Sequence, residues 1–167
     1  MQKKIISILV LSLLSFSILA EVQEKDYTII TDAREVKLIF EQCSRMTPTF
    51  RTGYRELDET TVEKIEKVLP QALTKAANGK PLDMSDYKRQ YGAFEILRRE
   101  LVYVNGFHKE AVKLWAAGDS VRETAVDNWE SNIINVCGGE MNYWGALYDA
   151  QSGTIVEVLF NNKRKQK

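Results

Sequence analysis

The sequence is poor in the residues from which most enzyme sites are built. Its 167 residues include one histidine, His108, and two cysteines, Cys43 and Cys137. A zinc site needs three or four His, Cys or acid ligands at set spacing, and no such pattern occurs. There is no Asp/Asn-rich loop of the calcium-hand kind. Gly138-Gly139 stands outside any GxGxxG or Walker pattern, so no phosphate cradle is encoded. Gln151-Ser152-Gly153 lacks the rest of a Gly-x-Ser-x-Gly elbow and reads as an ordinary turn. Only three prolines are present, with no Ser- or Gly-rich run and no internal repeat, so nothing marks a linker. An excess of charge is lacking too, since 23 bases balance 23 acids. That balance leaves no electrostatic footprint for nucleic acid and does not favour an anionic membrane surface. No cofactor is called for.

Long apolar runs are equally scarce, with one exception at the start. Lys3 and Lys4 precede an uncharged apolar run over residues 5–19, and Ala20 then meets Glu21. A basic start, an apolar middle and a small residue at the border form the pattern of a secretory signal peptide, expected over residues 1–20. The alternative is an uncleaved N-terminal anchor, for which the run is short, as a spanning helix needs about 20 residues. The expected product is a soluble periplasmic or secreted protein without stable membrane insertion. Without Lys3 and Lys4 it carries 21 bases against 23 acids, a net charge of −2. Residues 21–160 are expected to form a single domain, and residues 161–167 a basic C-terminal tail.

Both cysteines lie in the mature part. In an oxidising compartment an even count favours a disulfide, here Cys43 to Cys137. It would close a loop worth about 4–5 kcal/mol in the chain-entropy model. The competing reading makes Cys137 a nucleophile, with His108 as base and Glu140 or Asp149 as the supporting acid.

The organising region is the last forty residues. Asn132-Ile133-Ile134-Asn135-Val136-Cys137 is β-branched and ends at the glycine pair, which predicts a strand. Asn142-Tyr143-Trp144-Gly145-Ala146-Leu147-Tyr148-Asp149 and Thr154-Ile155-Val156-Glu157-Val158-Leu159-Phe160 flank a loop containing Gly153 and predict a hairpin. Alternation places Thr154, Val156, Val158 and Phe160 on one face and Ile155, Glu157 and Leu159 on the other. Both faces are largely apolar, so cover on both sides is expected.

Earlier in the chain, residues 27–31 predict a short strand or extended lead. Asp32 is a helix cap before Val36, Ile39, Phe40 and Cys43 at helical spacing, with a strand reading of Val36, Leu38 and Phe40 as the alternative. Residues 44–56 read as a loop. Thr60 and Glu63 offer a capping box for a long helix whose stripe is Val62, Ile65, Val68/Leu69, Ala72/Leu73 and Ala76. Pro70 is expected to kink or split it, and Asn78-Gly79 to stop it. Residues 87–97 and 101–107 predict a second hairpin across a polar break at residues 98–100. Residues 109–119 predict a short helix presenting Val112 and Trp115.

Strands gathered after helices indicate an α+β fold, an antiparallel sheet of about four to five strands packed on one long helix. In outline this is similar to cystatin or nuclear-transport-factor-like architectures, an analogy that carries no function.

Several short segments also carry a resemblance. Cys43-Ser44-Arg45, Val102-Tyr103-Val104-Asn105-Gly106-Phe107 and Val136-Cys137-Gly138-Gly139, followed by Trp144-Gly145, Tyr148-Asp149 and Phe160-Asn161, resemble a group of small exported bacterial proteins of uncharacterised function. The resemblance implies a shared fold and export. It implies no activity and assigns no site.

What remains points to binding. Tyr91, Tyr103, Tyr143, Trp144 and Tyr148 would form a patch for a protein or glycan of the envelope if they shared an open sheet face. The alternative is that they are core or cross-strand pairs, with Tyr143 and Trp144 on opposite faces in any case. The leading expectation is an exported, non-enzymatic binding or accessory protein. The alternative is a hydrolase of a cell-wall or secreted polymer, with Glu140 and Asp149 flanking a glycosidic bond or His108 as general base.

Overall fold

The computed structural model describes residues 25–110 and 128–162. The expected signal peptide, most of the helix expected over residues 109–119 and the tail from residue 163 lie outside them. Among the described residues the order is β1 (Tyr27–Ile29), α1 (Ala33–Leu38), β2 (Gly53–Arg55), α2 (Glu59–Ala76), β3 (Tyr87–Ile96), β4 (Arg99–His108), β5 (Tyr143–Asp149) and β6 (Thr154–Phe160). This is an α+β fold with one six-stranded sheet, ordered β1-β3-β4-β5-β6, and β2 beside β1 on the outer edge of β3. The sheet is mixed, because β1 runs parallel to β3 while every other pair is antiparallel. The wholly antiparallel expectation fails at this one strand. A parallel strand needs a long crossover, here the whole stretch from β1 to β3, and that pairing leaves no local mark in the sequence.

Two features start α1 and α2 in the same way. The Asp32 carboxylate accepts from the backbone N–H of Arg34 and Glu35. The Asp58 carboxylate accepts from Thr61 N at 2.6 Å. The expected capping box at Thr60 is displaced by Asp58, a better anion for the positive end of the helix dipole, so Thr60 lies inside the helix. Helix α2 runs through Pro70 as one element of 18 residues. Burial of Ile65, Leu69 and Leu73 on both sides of the proline outweighs its missing donor. The stop is as expected, with Asn78 and Gly79 at φ 56° and 85° and Gly79 N donating to Thr74 O. Helix α1 is shorter than its apolar spacing suggests and closes with Phe40 N donating to Lys37 O.

The sheet buries a separate cluster on each side. On the helix face, Val62, Ile65, Leu69 and Leu73 of α2 cover Tyr91, Ala93, Val102, Val104, Trp144, Ala146 and Tyr148. On the opposite face, Val36, Ile39 and Phe40 pack on Phe94, Leu101 and Tyr103. Further along that face, Trp129, Ile134 and Val136 pack on Phe107 and Tyr143. The β5–β6 register slips between Leu147 and Tyr148, where Tyr148 pairs with Ile155 and Leu147 with Glu157. Val156 is the extra residue of this bulge and is 50% exposed. Ile155 therefore joins Val158 and Phe160 on the helix face, in place of the Val156 that strict alternation puts there.

Residues 132–137 form no strand. Burial alternates along them, with Ile134 and Val136 buried and Asn135 and Cys137 exposed, and the two buried residues pack on the sheet face against Phe107 and Tyr143 instead of pairing at its edge. Residues 128–139 are here called the strap.

Candidate functional site

Beneath the strap lies a polar network inside an otherwise apolar core. Gln90 of β3 and Asn105 of β4 are partners in register, and both side chains point to the strap face. Gln90 is fully buried, and Asn105 is 2% exposed. The Asn105 amide donates to Gln90 Oε1 at 2.9 Å and to Ile134 O at 2.8 Å. Gln90 Oε1 accepts from Ile134 N at 3.1 Å, and its amide donates to the carbonyls of Trp129 and Asn132, each at 2.7 Å. Asn161, just beyond β6, donates to Val136 O at 2.7 Å and to Gly138 O at 2.8 Å. Three side-chain amides thus satisfy the strap's backbone where a neighbouring strand would otherwise do so.

Arg45 stands at the centre. It is 8% exposed. Its Nε donates to Tyr103 Oη at 2.9 Å, and its two Nη atoms donate to the side-chain oxygens of Asn161 and Asn105. No carboxylate pairs with it among the described residues, so neutral oxygens alone offset the burial of its charge. Space for the guanidinium comes from Gly145, where a Cβ would collide with Tyr103 Oη and Arg45 Nε. Burial raises the Tyr103 hydroxyl pKa above its ordinary value, although Arg45 pulls the other way. Tyr143 is pushed up to about 12 by burial, and its hydroxyl has no hydrogen-bond partner among the described residues.

The Cys43–Cys137 disulfide is formed, with the two Cα atoms 5.3 Å apart. It fastens the strap to the segment that follows α1, and both half-cystines are exposed. Around it, Cys43 N donates to Asn135 Oδ1 and Gly138 N to Ser44 Oγ. A thiol nucleophile at Cys137 is therefore ruled out for this state.

The four aromatics expected as a binding surface are all buried. Trp144 and Tyr148 lie on the helix face at 0% and 2% exposure, Tyr103 and Tyr143 on the strap face at 3% and 4%. They are core, and no open patch is made from them. The carboxyls of the polymer-hydrolase reading stand at opposite ends of β5. Glu140 precedes the strand and Asp149 ends it, a span of roughly 20 Å at 3.3 Å per residue. A glycosidic pair needs about 5–9.5 Å. Asp149 instead pairs with Arg99 at 2.5 Å and accepts from Gln151 N in the hairpin loop. The Arg99 contact holds its carboxyl below the usual range. His108 lies at the far end of β4, its ring edge-on to Tyr87. No group of three or more His, Cys, Asp or Glu that could hold a metal occurs among the described residues.

Arg45, Asn105 and Asn161 fall in the segments that carry the resemblance, which assigns them no role, and Gln90 is not singled out from the sequence at all. A signal for two of them existed, an amide in the middle of each central strand, where burial forces it to find partners. Asn161, the first residue of the expected tail, is 5% exposed. No family model, curated protein or solved structure matches the chain.

Proposed function

We propose that the chain is an exported binding or accessory protein of the bacterial envelope, with no reaction of its own. Export is supported by the formed disulfide together with the basic-apolar-small order of residues 1–20. Among the described residues no helix is long and apolar enough to cross a membrane. The cystatin or nuclear-transport-factor-like outline belongs to this reading as an analogy, supported by the packing of α2 against strands β3 to β6.

The observation that carries the binding reading is an exposed apolar end. Leu97, in the β3–β4 turn, is 73% exposed, and Phe50 is 59% exposed. Thr52 N donates to Glu95 O, so the loop carrying Phe50 approaches the same end of β3 as Leu97. Leu97 and Arg98 both hold left-handed backbone, at φ 47° and 69°, where Asn-Gly would be relaxed. The fold tolerates this strain at a site that offers an apolar side chain to solvent. Arg98 beside it meets no carboxylate among the described residues. A protein surface with an apolar pocket and an acidic margin suits this end better than a glycan, which offers nothing to bury Leu97. The test is retention of envelope proteins by the oxidised mature chain, compared with the Phe50→Ser/Leu97→Asn variant. A protein retained by the first and lost by the second supports the reading; identical retention, or none, removes it.

A further inference from the structure

We propose that the face beneath the strap is a recognition site for extended polypeptide, which the strap occupies in cis and the exposed Cys43–Cys137 bridge holds closed. The site is separate from the Phe50–Leu97 end and stands or falls without it.

The strap shows what the face recognises. The hydrogen bonds that the sheet's amides make to it are to main chain. Gln90 takes the N–H of Ile134 and the carbonyl of Asn132, Asn105 takes the carbonyl of Ile134, and Asn161 takes the carbonyls of Val136 and Gly138. Side-chain amides that grip the backbone of an extended segment do not read its sequence. Selectivity lies in two apolar seats two residues apart, filled by Ile134 and Val136 at 5% exposure each, while Asn135 and Cys137 face outward. The ligand class is therefore an extended segment with β-branched residues at i and i+2. Arg45 sets the amide carbonyls of Asn105 and Asn161 by donating to both, which leaves their N–H groups aimed at the ligand.

The lock is accessible. Cys43 and Cys137 are exposed, and the strap has no ladder to hold it once they part. A dithiol reductant is oxidised to its own disulfide as Cys43 and Cys137 become thiols, two hydrogens passing from one sulfur pair to the other. What then remains on that side is the pair of Asn135 bonds to the main chain of Glu41 and Cys43, the Gln42 amide donating to Ile134 O, and Gly138 N donating to Ser44 Oγ.

A tethered strap competes with any outside peptide at high effective concentration. The test therefore removes its seats as well as its lock. The full mature chain is prepared with Ile134→Asp and Val136→Asp, reduced with dithiothreitol, and titrated with a fluorescent peptide of residues 132–138 carrying Ser for Cys137. The same peptide with Asp at both seats is the control. Saturable binding at least tenfold tighter than the control is expected, and Gln90→Ala/Asn105→Ala in the same chain should abolish it. In parallel, reduction of the unaltered chain should speed hydrogen exchange at the Ile134 amide at least tenfold and leave the β4 and β5 amides unchanged. A folded sheet that binds neither peptide overturns the proposal. So does an Ile134 amide that reduction leaves protected. Loss of protection throughout the sheet on reduction also overturns it, because the strap would then be a structural member of the core.

Discussion

The helix face and the strap face of the sheet both bury aromatic side chains, yet they are closed by different chemistry. Helix α2 satisfies its own backbone and meets the sheet chiefly through Val62, Ile65, Leu69 and Leu73, with Glu66 reaching Arg89 and Tyr91 at the margin. The strap cannot satisfy its backbone, so the sheet supplies Gln90, Asn105 and Asn161 to do so. A regular element can be covered by shape and area alone. An irregular one must be met atom by atom, and each meeting group is costly to leave alone. The largest expected effect tests the first half of this contrast. Leu69→Ala on the helix face should cost about 2–5 kcal/mol in urea unfolding, spread over the whole domain, because a cavity under α2 loosens every strand below it. Gln90→Leu tests the second half. It keeps the volume but strands the Ile134 N–H and the Trp129 and Asn132 carbonyls, at a cost of about 3 kcal/mol. Its loss should concentrate in the strap, with Ile134 exchanging faster than the α2 amides. Equal loss of protection in α2 would show that the two faces are one cooperative unit.

Two glycines allow the same comparison at smaller scale. Gly106 leaves room for the Trp144 ring on the helix face, and Gly145 leaves room for Tyr103 and Arg45 on the strap face. Alanine at either site overpacks, at about 1–3 kcal/mol. Gly106→Ala should disturb the near-ultraviolet signal of Trp144 and spare the strap. Gly145→Ala should break the Arg45–Tyr103 bond and raise exchange at Ile134. If the two variants behave alike, the faces are less independent than their chemistry suggests.

The same contrast explains what could be read in advance. Both long hairpins were legible, since alternation over β3 to β6 and the loop containing Gly153 carry their own register. The α2 stripe was legible for the same reason. The strap was misread as a strand because its alternation of buried and exposed residues is real. What it lacks is a backbone partner, and no local pattern reports that. Val156 misled in the opposite way, because a one-residue bulge resets every side chain after it without changing the composition. The disulfide followed from compartment and count. The amide network did not, although Asn105 within Val102-Tyr103-Val104-Asn105-Gly106-Phe107 was a visible polar interruption of a central strand.

The β3–β4 turn is where the sequence most plainly departs from what its conformation favours, and it lies away from both closed faces. Leu97-Arg98→Asn-Gly should stabilise the domain by about 1–2 kcal/mol, because two bulky residues leave a left-handed backbone that Asn and Gly adopt readily. A rise in thermal midpoint with unchanged exchange on both faces is expected. A fall would mean that Leu97 packs against the fold and is not offered to a partner.

The smallest effect separates the faces by pH. Lys88 and Arg89 are neighbours on β3 and point to opposite sides. Arg89 meets Glu66 of α2 at 2.7 Å, while Lys88 lies over the Trp129 ring of the strap and reaches Asp26 at 3.3 Å. Burial pushes the Asp26 carboxyl up, but hydrogen bonds from Lys109 and Lys88 more than offset it and hold the group below its usual range. A depressed folded-state pKa means that the contribution is present above the ordinary aspartate value and is lost as pH falls through the lower, folded value. Asp26→Asn should therefore cost within about 1 kcal/mol at neutral pH, since the pair is partly solvated. The difference from the unaltered chain should vanish at acid pH. Because the Asp26 carboxylate bears on Lys88 and not on the Arg89 side chain, the exchange it quickens should be that of the strap around Trp129, with the α2 amides unmoved.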